Sequence, residues 1–273
     1  MPDVGRLAVA EGVSLHALVW EGGSGRAFLL VHGLSSNCRT WEAVAERLHA
    51  AGHPVVAVDL RGHGLSDKPA NGYDFATLTR DLRLVIAAFE FGEAVAVGQS
   101  TGGNLAVELA YRASGLVAGA VGIDGGAIEL SERWPRWGDC EAALAPPAFA
   151  GTPVANIEGW IRRAHRDWPD AGVAATLANL EVLPDGTARP WLTYDRHIRL
   201  LRALWEHHPS EVVPHLTVPL MLVHAEHDGN GGAAPPHAVL TGAKVRVERV
   251  RGDHDLHVQQ PDRVADLLLD FAS

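Results

Sequence analysis

Short, continuous runs of apolar residues alternate with helical patterns over the first 125 residues and again after residue 217. A run that is apolar at successive positions indicates a strand buried on both faces, as in a parallel sheet covered by helices on both sides. The predicted strands are Ala27–Val31, Pro54–Leu60, Ala94–Gly98, Val117–Ile123, Val218–Ala225 and Val245–Val250. The predicted helices are Thr40–Ala51, Ala76–Phe89, Thr101–Arg112 and Pro261–Phe271. The pattern predicts an α/β fold with a mostly parallel central sheet flanked by helices.

The stretch 125–217 has a different pattern, with no clean strand and with helical patterns at Asn156–Trp168 and Arg196–His207. It contains six of the eight tryptophans: Trp134, Trp137, Trp160, Trp168, Trp191 and Trp205. Because structureless loops of this length are uncommon, we predict a helical cap. The cap, residues 125–217, is inserted before the penultimate strand of a core formed by residues 1–124 and 218–273.

Composition narrows the class of protein. Hydrophobic residues make up 47% of the 273 residues, a content typical of a globular chain. The formal net charge is −10, which disfavours nucleic-acid binding. The two cysteines, Cys38 and Cys140, cannot form a disulfide framework. No apolar run is long enough for a membrane span, and the strand-like start at residues 1–20 lacks the features of a signal peptide. We therefore expect a cytoplasmic protein.

The segment Gly98–Gly103, GQSTGG, lies between a predicted strand and a predicted helix and matches the pattern G-x-S-x-G. Such a turn holds the central serine, here Ser100, in a strained conformation that exposes its hydroxyl group. It also directs the backbone N–H of Thr101 toward an attacked carbonyl oxygen. The alternative interpretation is a glycine-rich turn in which Ser100 only caps the helix.

A second turn, VHGLSS at Val31–Ser36, follows an earlier predicted strand. The turn leaves the backbone N–H of Leu34 free as a second donor to the same oxygen, which is what a tetrahedral intermediate requires. We expect His32 to hold this loop in place rather than to act chemically.

A serine nucleophile needs a base and a carboxylate that orients the base. His254, in a loop after the last predicted strand, is the candidate base, and His257 is its neighbour and competitor. Two aspartates follow strands at the same edge of the sheet, Asp228 and Asp124, and either loop could bring a carboxylate to His254. The alternative for either aspartate is a turn, because Asp-Gly is a common turn pair.

Five segments together resemble the α/β-hydrolase family, in its esterase, lactonase and C–C hydrolase group. They are His32-Gly33, DLRGHGLSD at Asp59–Asp67, GQSTGG, AEHD at Ala225–Asp228, and GDHDLHVQQP at Gly252–Pro261. The resemblance extends over residues 14–271 and implies the α/β-hydrolase fold. It implies Ser100 as nucleophile, His254 as general base, and Leu34 and Thr101 as oxyanion donors. The usual acid position is Asp228; some members place the acid 24 residues beyond the nucleophile, where Asp124 stands.

The resemblance also implies a reaction class. Relatives that act on haloalkanes or epoxides carry aspartate at the position of Ser100, so we expect a serine hydrolase acting on a carboxylic ester or lactone of an apolar or aromatic small molecule. A C–C bond hydrolase and a weakly catalytic small-molecule receptor or scaffold are the alternatives. We expect most of the tryptophans of the cap to be packing residues.

Arginines in the cap could bind a carboxylate of the substrate, although such side chains more often lie on solvated helix faces. They are Arg133, Arg136, Arg162, Arg163 and Arg189. No zinc motif and no phosphate-binding glycine loop is present, so we expect neither a metal nor another cofactor. The expected partner is a small-molecule substrate, and the sequence leaves undecided whether the chain forms a homodimer.

Overall fold

The protein was analysed as a computed structural model, which describes residues 2–89, 92–226 and 244–273. Its strands are β1 Asp3–Ala10, β2 Val13–Trp20, β3 Phe28–Val31, β4 Val55–Val58, β5 Ala94–Gln99, β6 Val117–Ile123, β7 Thr152–Pro153, β8 Leu180–Val182, β9 Thr187–Pro190, β10 Leu220–Glu226 and β11 Val245–Arg251. Eight of them form the central sheet in the order β1-β2-β4-β3-β5-β6-β10-β11. The sheet is parallel from β4 to β11, and β1 and β2 add an antiparallel edge.

The helices are α1 Glu42–Ala50, α2 Phe75–Ala88, α3 Thr101–Arg112, α4 Leu130–Arg133, α5 Trp137–Leu144, α6 Val154–Ala164, α7 Asp170–Leu177, α8 Tyr194–Trp205, α9 Pro209–Val212, α10 Leu256–Gln259 and α11 Pro261–Ala272. Two hydrophobic clusters lie on the two faces of the sheet. Phe28 and Leu30 face α1 and α11, whereas Leu29 and Val31 face α2 and α3. The expected α/β-hydrolase architecture, a mostly parallel sheet between two helical layers, is confirmed.

Residues 125–217, which we call the insertion, connect β6 to β10. The prediction that this stretch has no strand is wrong, because β7, β9 and β8 form a small antiparallel sheet beside the helices. Its strands are two to four residues long, too short for an alternating pattern to be read from the sequence.

Several predicted boundaries shift by a few residues. The helix expected from Thr40 begins as a 3-10 helix at Cys38–Trp41, where the Asn37 side chain accepts the N–H of Arg39, and continues as α1. Asp74 caps α2 by accepting the N–H of Thr77 at 2.8 Å, so that helix begins at Phe75. Within the described ranges, no helix is both long and apolar enough to cross a membrane.

Candidate active site

Ser100 joins β5 to α3 in a left-handed conformation, with φ 52° and ψ −121°. Its N–H donates to the carbonyl of Ile123 at 3.0 Å, and its own carbonyl accepts the N–H groups of Gly103 and Asn104 at 2.9 and 3.3 Å. A positive φ is uncommon for a residue with a side chain and persists only where the surroundings hold it. The turn is therefore fixed by the neighbouring strand on one side and by the first turn of the helix on the other.

The glycines of this turn are required by close backbone approach. A Cβ atom on Gly98 would lie 2.0 Å from the carbonyl carbon of Gly102, and one on Gly102 would lie 2.4 Å from the carbonyl oxygen of Val31. The Ser100 side chain makes no capping hydrogen bond at the start of α3. Ser100 thus stands at the N-cap position of α3, but its hydroxyl does not cap the helix and is left for another partner.

The backbone N–H groups of Leu34 and Thr101 have no acceptor among the described residues. Thr101 opens α3 directly after Ser100. The loop that carries Leu34 also lies close to Ser100, since a Cβ atom on Gly33 would lie 3.1 Å from the Cβ of Ser100. The next residue, Ser35, again has a positive φ, of 60°. Both N–H groups are thus available to an oxygen atom of a bound molecule.

His32 fixes the loop that carries Leu34. Its Nε2 accepts the N–H of Leu60 at 3.0 Å, so Nδ1 carries the ring proton and donates to the carbonyl of Gly33 at 2.7 Å. The side chain is fully buried, and burial lowers the pKa of His32 to about 4. This neutral histidine ties the end of β3 to the end of β4, the structural role expected from the sequence.

His254, in the loop between β11 and α10, donates from Nδ1 to Oδ2 of Asp124 at 2.6 Å. Asp124 directly follows β6, the strand beside β5, so the carboxylate and Ser100 share one edge of the sheet. The Gln99 side chain donates to the His254 carbonyl at 3.2 Å. Because Nδ1 is engaged by the carboxylate, the Nε2 of a neutral His254 presents a lone pair, as a general base requires.

The Asp124 carboxylate is oriented by β10. Its Oδ1 accepts the N–H of Ala225 at 3.0 Å and lies 3.5 Å from Nδ1 of His224. Its backbone, with φ 41°, donates to the carbonyl of Val223 at 2.7 Å. The rival aspartate, Asp228, lies outside the described residues and stays a prediction.

The contacts between Asp124 and His254 shift their pKa values in opposite directions. Burial raises the pKa of Asp124, but the hydrogen bonds from His254 and from the Ala225 N–H outweigh burial, so the pKa lies below its ordinary value. Burial lowers the pKa of His254, but the hydrogen bond to Asp124 and the charges of Asp255 and Asp124 outweigh it, so the pKa lies above the ordinary 6.5. Asp124 therefore stays ionised while His254 becomes a stronger base.

The competitor His257 lies in α10 and is fully buried against Trp41, with ring centroids 4.3 Å apart. Neither ring nitrogen has a hydrogen-bond partner in the described structure, and burial lowers the pKa of His257 to about 3. A neutral ring enclosed by the core cannot exchange a proton with a substrate, so His257 is a packing residue.

Sequence reasoning missed a polar contact between the insertion and the loop of His254, which we call the clamp. Asp253 Oδ2 accepts both the ring Nδ1–H of His165, at 2.8 Å, and the indole N–H of Trp168, at 3.0 Å. Gln259 accepts the Asp253 N–H at 2.7 Å and donates to Asp167 at 2.5 Å. The available signal was the aspartate directly before His254, but its partners are 85 and 88 residues away in the chain.

A cavity of about 590 Å³ lies between the insertion and the loop that carries Leu34. Ser35, Ser36, His63 and Gly64 line it from the core. Its walls from the insertion are mostly apolar and include Pro146, Phe149, Ile157, Ile161, Trp191 and Leu192. Such a size and lining suit the apolar part of a small organic molecule.

Two polar side chains of the core at this cavity have hydrogen bonds that fix which of their atoms carry a proton. His63 donates from Nδ1 to the carbonyl of Arg61 at 3.1 Å, so its Nε2 carries a lone pair, and that atom has no partner within the described chain. His197 donates from Nε2 to the Leu144 carbonyl at 3.3 Å, so the Ser35 hydroxyl donates to its Nδ1 at 2.7 Å. The Ser35 oxygen is then left with accepting capacity only.

The tryptophans of the insertion mostly pack, as expected. Trp205 donates to the Trp134 carbonyl at 2.7 Å and lies edge-on to Trp137, and Trp168 belongs to the clamp. Trp191 alone among the six lines the cavity in the described structure.

The arginines of the insertion are mostly engaged at the surface. Arg136 pairs with Asp139, and Arg162 pairs with Glu158 and Asp170. The guanidinium of Arg133 stacks on Trp134, with its carbon 4.4 Å from the ring centroid.

One group of described side chains has metal-ligating types close together: His16, Cys38 and Asp59. The Asp59 carboxylate already accepts the N–H groups of Cys38 and Leu65, at 2.7 and 2.8 Å. Burial, together with the charge of Asp59, raises the pKa of the Cys38 thiol, so it stays protonated. The hydrogen bonds of Asp59 explain the group as the anchor of the two loops that carry Cys38 and Leu65.

The sheet order and the serine at a strand-to-helix turn are those of the α/β-hydrolase fold. A sequence model of the alpha/beta hydrolase family matches residues 28–267, and the chain belongs to that family.

Two related proteins match parts of this sequence. The chain is 37% identical to an uncharacterised protein of Mycobacterium tuberculosis over 179 residues, 61% of this chain and 50% of that protein. It is 37% identical to 2-(acetamidomethylene)succinate hydrolase of Mesorhizobium japonicum over 122 residues, 45% of this chain and 41% of that enzyme. The matches thus span about half the length of these relatives. The crystal structure of E-2-(acetamidomethylene)succinate hydrolase superposes with a TM-score of 0.80 at 24% identity, covering 99% of both chains, and supports the fold.

Proposed function

We propose that the protein is a serine hydrolase that cleaves a carboxylic ester or lactone of an apolar small molecule through an acyl-enzyme on Ser100. The observation that carries the proposal is the 2.6 Å hydrogen bond between His254 and Asp124 at the edge of the sheet where Ser100 is held. A base oriented by a carboxylate, at the same sheet edge as a serine hydroxyl that does not cap its helix, fits the arrangement that activates a serine nucleophile.

In the proposed reaction, His254 Nε2 accepts the hydroxyl proton of Ser100 as its oxygen attacks the substrate carbonyl. The N–H groups of Leu34 and Thr101 stabilise the negative charge that develops on the carbonyl oxygen. His254 then protonates the departing alcohol and activates the water that hydrolyses the acyl-enzyme. In this proposal, Asp124 is the carboxylate that orients His254, and the insertion is the cap that encloses the apolar part of the substrate.

A second candidate is a substrate that bears carboxylates, because the relative from Mesorhizobium japonicum, 37% identical over 122 residues, is named for action on a substituted succinate. C–C bond hydrolysis, the alternative indicated by the sequence, begins with the same need for an activated serine. Only the substrate distinguishes these reactions from ester hydrolysis.

The test uses the full-length protein with a fluorophosphonate probe and a series of p-nitrophenyl esters of increasing chain length. We expect labelling of the wild type, no labelling of Ser100→Ala, and a loss of ester turnover in that variant on the order of 10⁵-fold or more in kcat. Ser131→Ala, a serine of the insertion that the proposal does not use, is the matched control. Equal turnover in wild type and Ser100→Ala would exclude Ser100 as the nucleophile.

A further inference from the structure

One cation lines the cavity among the described residues, and its charge is already matched. Arg189 of β9 donates from Nε to Glu181 Oε2 of β8 at 2.8 Å, and its Nη2 donates to the same oxygen. The two residues are direct cross-strand partners in the small sheet. Because the strand register places the two residues opposite each other, the ion pair is built into the small sheet that lines the cavity.

Lys68, whose ammonium lies against the cavity-lining Trp191, is also engaged. Lys68 donates to the carbonyls of Gly64 and Ser66, each at 2.8 Å, and its ammonium lies 4.7 Å from the centroid of the Trp191 ring. Arg196, which contacts the backbone of Lys68, donates to the carbonyls of Lys68 and Pro69 at 2.8 and 3.3 Å. The segment 227–243, outside the described residues, contains no Lys or Arg in its sequence.

A carboxylate placed among these mostly apolar walls would lose hydration without gaining an unpaired cation from the described residues that line them, which is unfavourable. We propose that the cavity selects the neutral, apolar part of an ester substrate, and that Glu181 determines this specificity by neutralising Arg189. The inference rests on the proposed function and names its substrate class. It also weighs against a succinate-like substrate.

The test compares two esters of equal acyl length, p-nitrophenyl valerate and mono-p-nitrophenyl glutarate, which differ by a methyl group and a carboxylate at the far end. We expect the wild type to prefer the valerate ester. In Glu181→Gln, the freed Arg189 should raise the ratio of kcat/KM for the glutarate ester over the valerate ester about tenfold, the effect of one charge-assisted hydrogen bond. Glu181→Gln with Arg189→Gln should return the ratio to the wild-type value.

Glu158→Gln is the matched control, because it removes the same charge from an exposed Arg–Glu pair of the insertion. It should leave the ratio unchanged. Melting temperatures and circular dichroism confirm that each variant is folded.

The outcomes separate the two proposals. A wild type that hydrolyses the glutarate ester faster than the valerate ester, or a folded Glu181→Gln with an unchanged ratio, overturns the specificity inference while Ser100-dependent hydrolysis stands. A wild type that turns over neither ester and resists the fluorophosphonate overturns the proposed function and the inference with it.

Discussion

The sheet edge that carries Ser100 and Asp124 and the insertion that carries the cavity are built in different ways. At the sheet edge, backbone atoms are in close contact, and the Asp124 carboxylate is held by the N–H of buried Ala225 and by the ring of His254. In the insertion, elements are short, and many side-chain pairs, such as Arg162–Glu158, are exposed to solvent. Exposed pairs of this kind contribute little to stability, because solvent screens their attraction. The proposed chemistry is therefore placed where substitution is costly, and the proposed selection of substrate where substitution is cheap.

The sharpest test of the sheet edge is Asp124→Asn. The amide can donate from its NH2 group to Nδ1 and so favour the wrong tautomer of His254, and it does not stabilise the charged ring, so kcat on a neutral p-nitrophenyl ester should fall on the order of 10⁴-fold. Asp139→Asn, which removes the same charge from an exposed pair with Arg136, should leave kcat nearly unchanged. Asp228→Asn decides between the two acids: a large loss there, with Asp124→Asn still active, would make Asp228 the acid.

A substitution in the clamp tests how far the site at the sheet edge depends on its contact with the insertion. Asp253→Asn keeps one oxygen acceptor for His165 and Trp168 but removes its charge, so the loop of His254 should be positioned less precisely. We expect kcat to fall about tenfold with KM little changed, as for other residues that orient a catalytic group through a hydrogen bond. Asp170→Asn, which breaks an exposed pair of the same part of the insertion, is the control. An equal loss in both variants would reduce the clamp to general stability.

The smallest expected effect is the position of the acidic limb in the pH profile. His254 must be neutral to accept a proton, so kcat/KM falls as the pH drops through its pKa. Because contacts raise the pKa of His254, the midpoint should lie above the ordinary 6.5. The measurement uses an ester without a titratable group, so that the profile belongs to the enzyme. A midpoint at or below 6.5 would contradict the bond between His254 and Asp124.

Sequence patterns predicted the regular parts of this molecule well. Runs such as Ala94–Gly98 and Val117–Ile123 are apolar at nearly every position because both faces of each strand are covered, and the structure confirms both strands. The turn at Ser100 was recognisable because close backbone approach permits only glycine at Gly98 and Gly102. The strands β7, β8 and β9 were not recognisable, since two to four residues cannot show a period.

The choice between the two aspartates was beyond the sequence for a geometric reason. Asp124 and Asp228 both follow strands at one edge of the sheet, and no local pattern states which side chain reaches His254, a residue 130 positions beyond Asp124. The clamp was hidden in the same way, because its contacts join segments that are distant in the chain. Local patterns describe local structure, whereas the site is assembled by the topology of the sheet.

Ser35, Ser100 and Asp124 are the non-glycine residues of the described chain with positive φ, and all three surround the proposed site. Each such conformation costs about 1–3 kcal/mol of folding free energy. Glycine at any of the three positions would relieve that strain. In a lineage released from the need for catalysis, selection for stability alone would favour the loss of these side chains. Under the proposed function, these three backbone angles are a cost in stability that the reaction requires, and variants selected for stability alone should lose reactivity at these positions first.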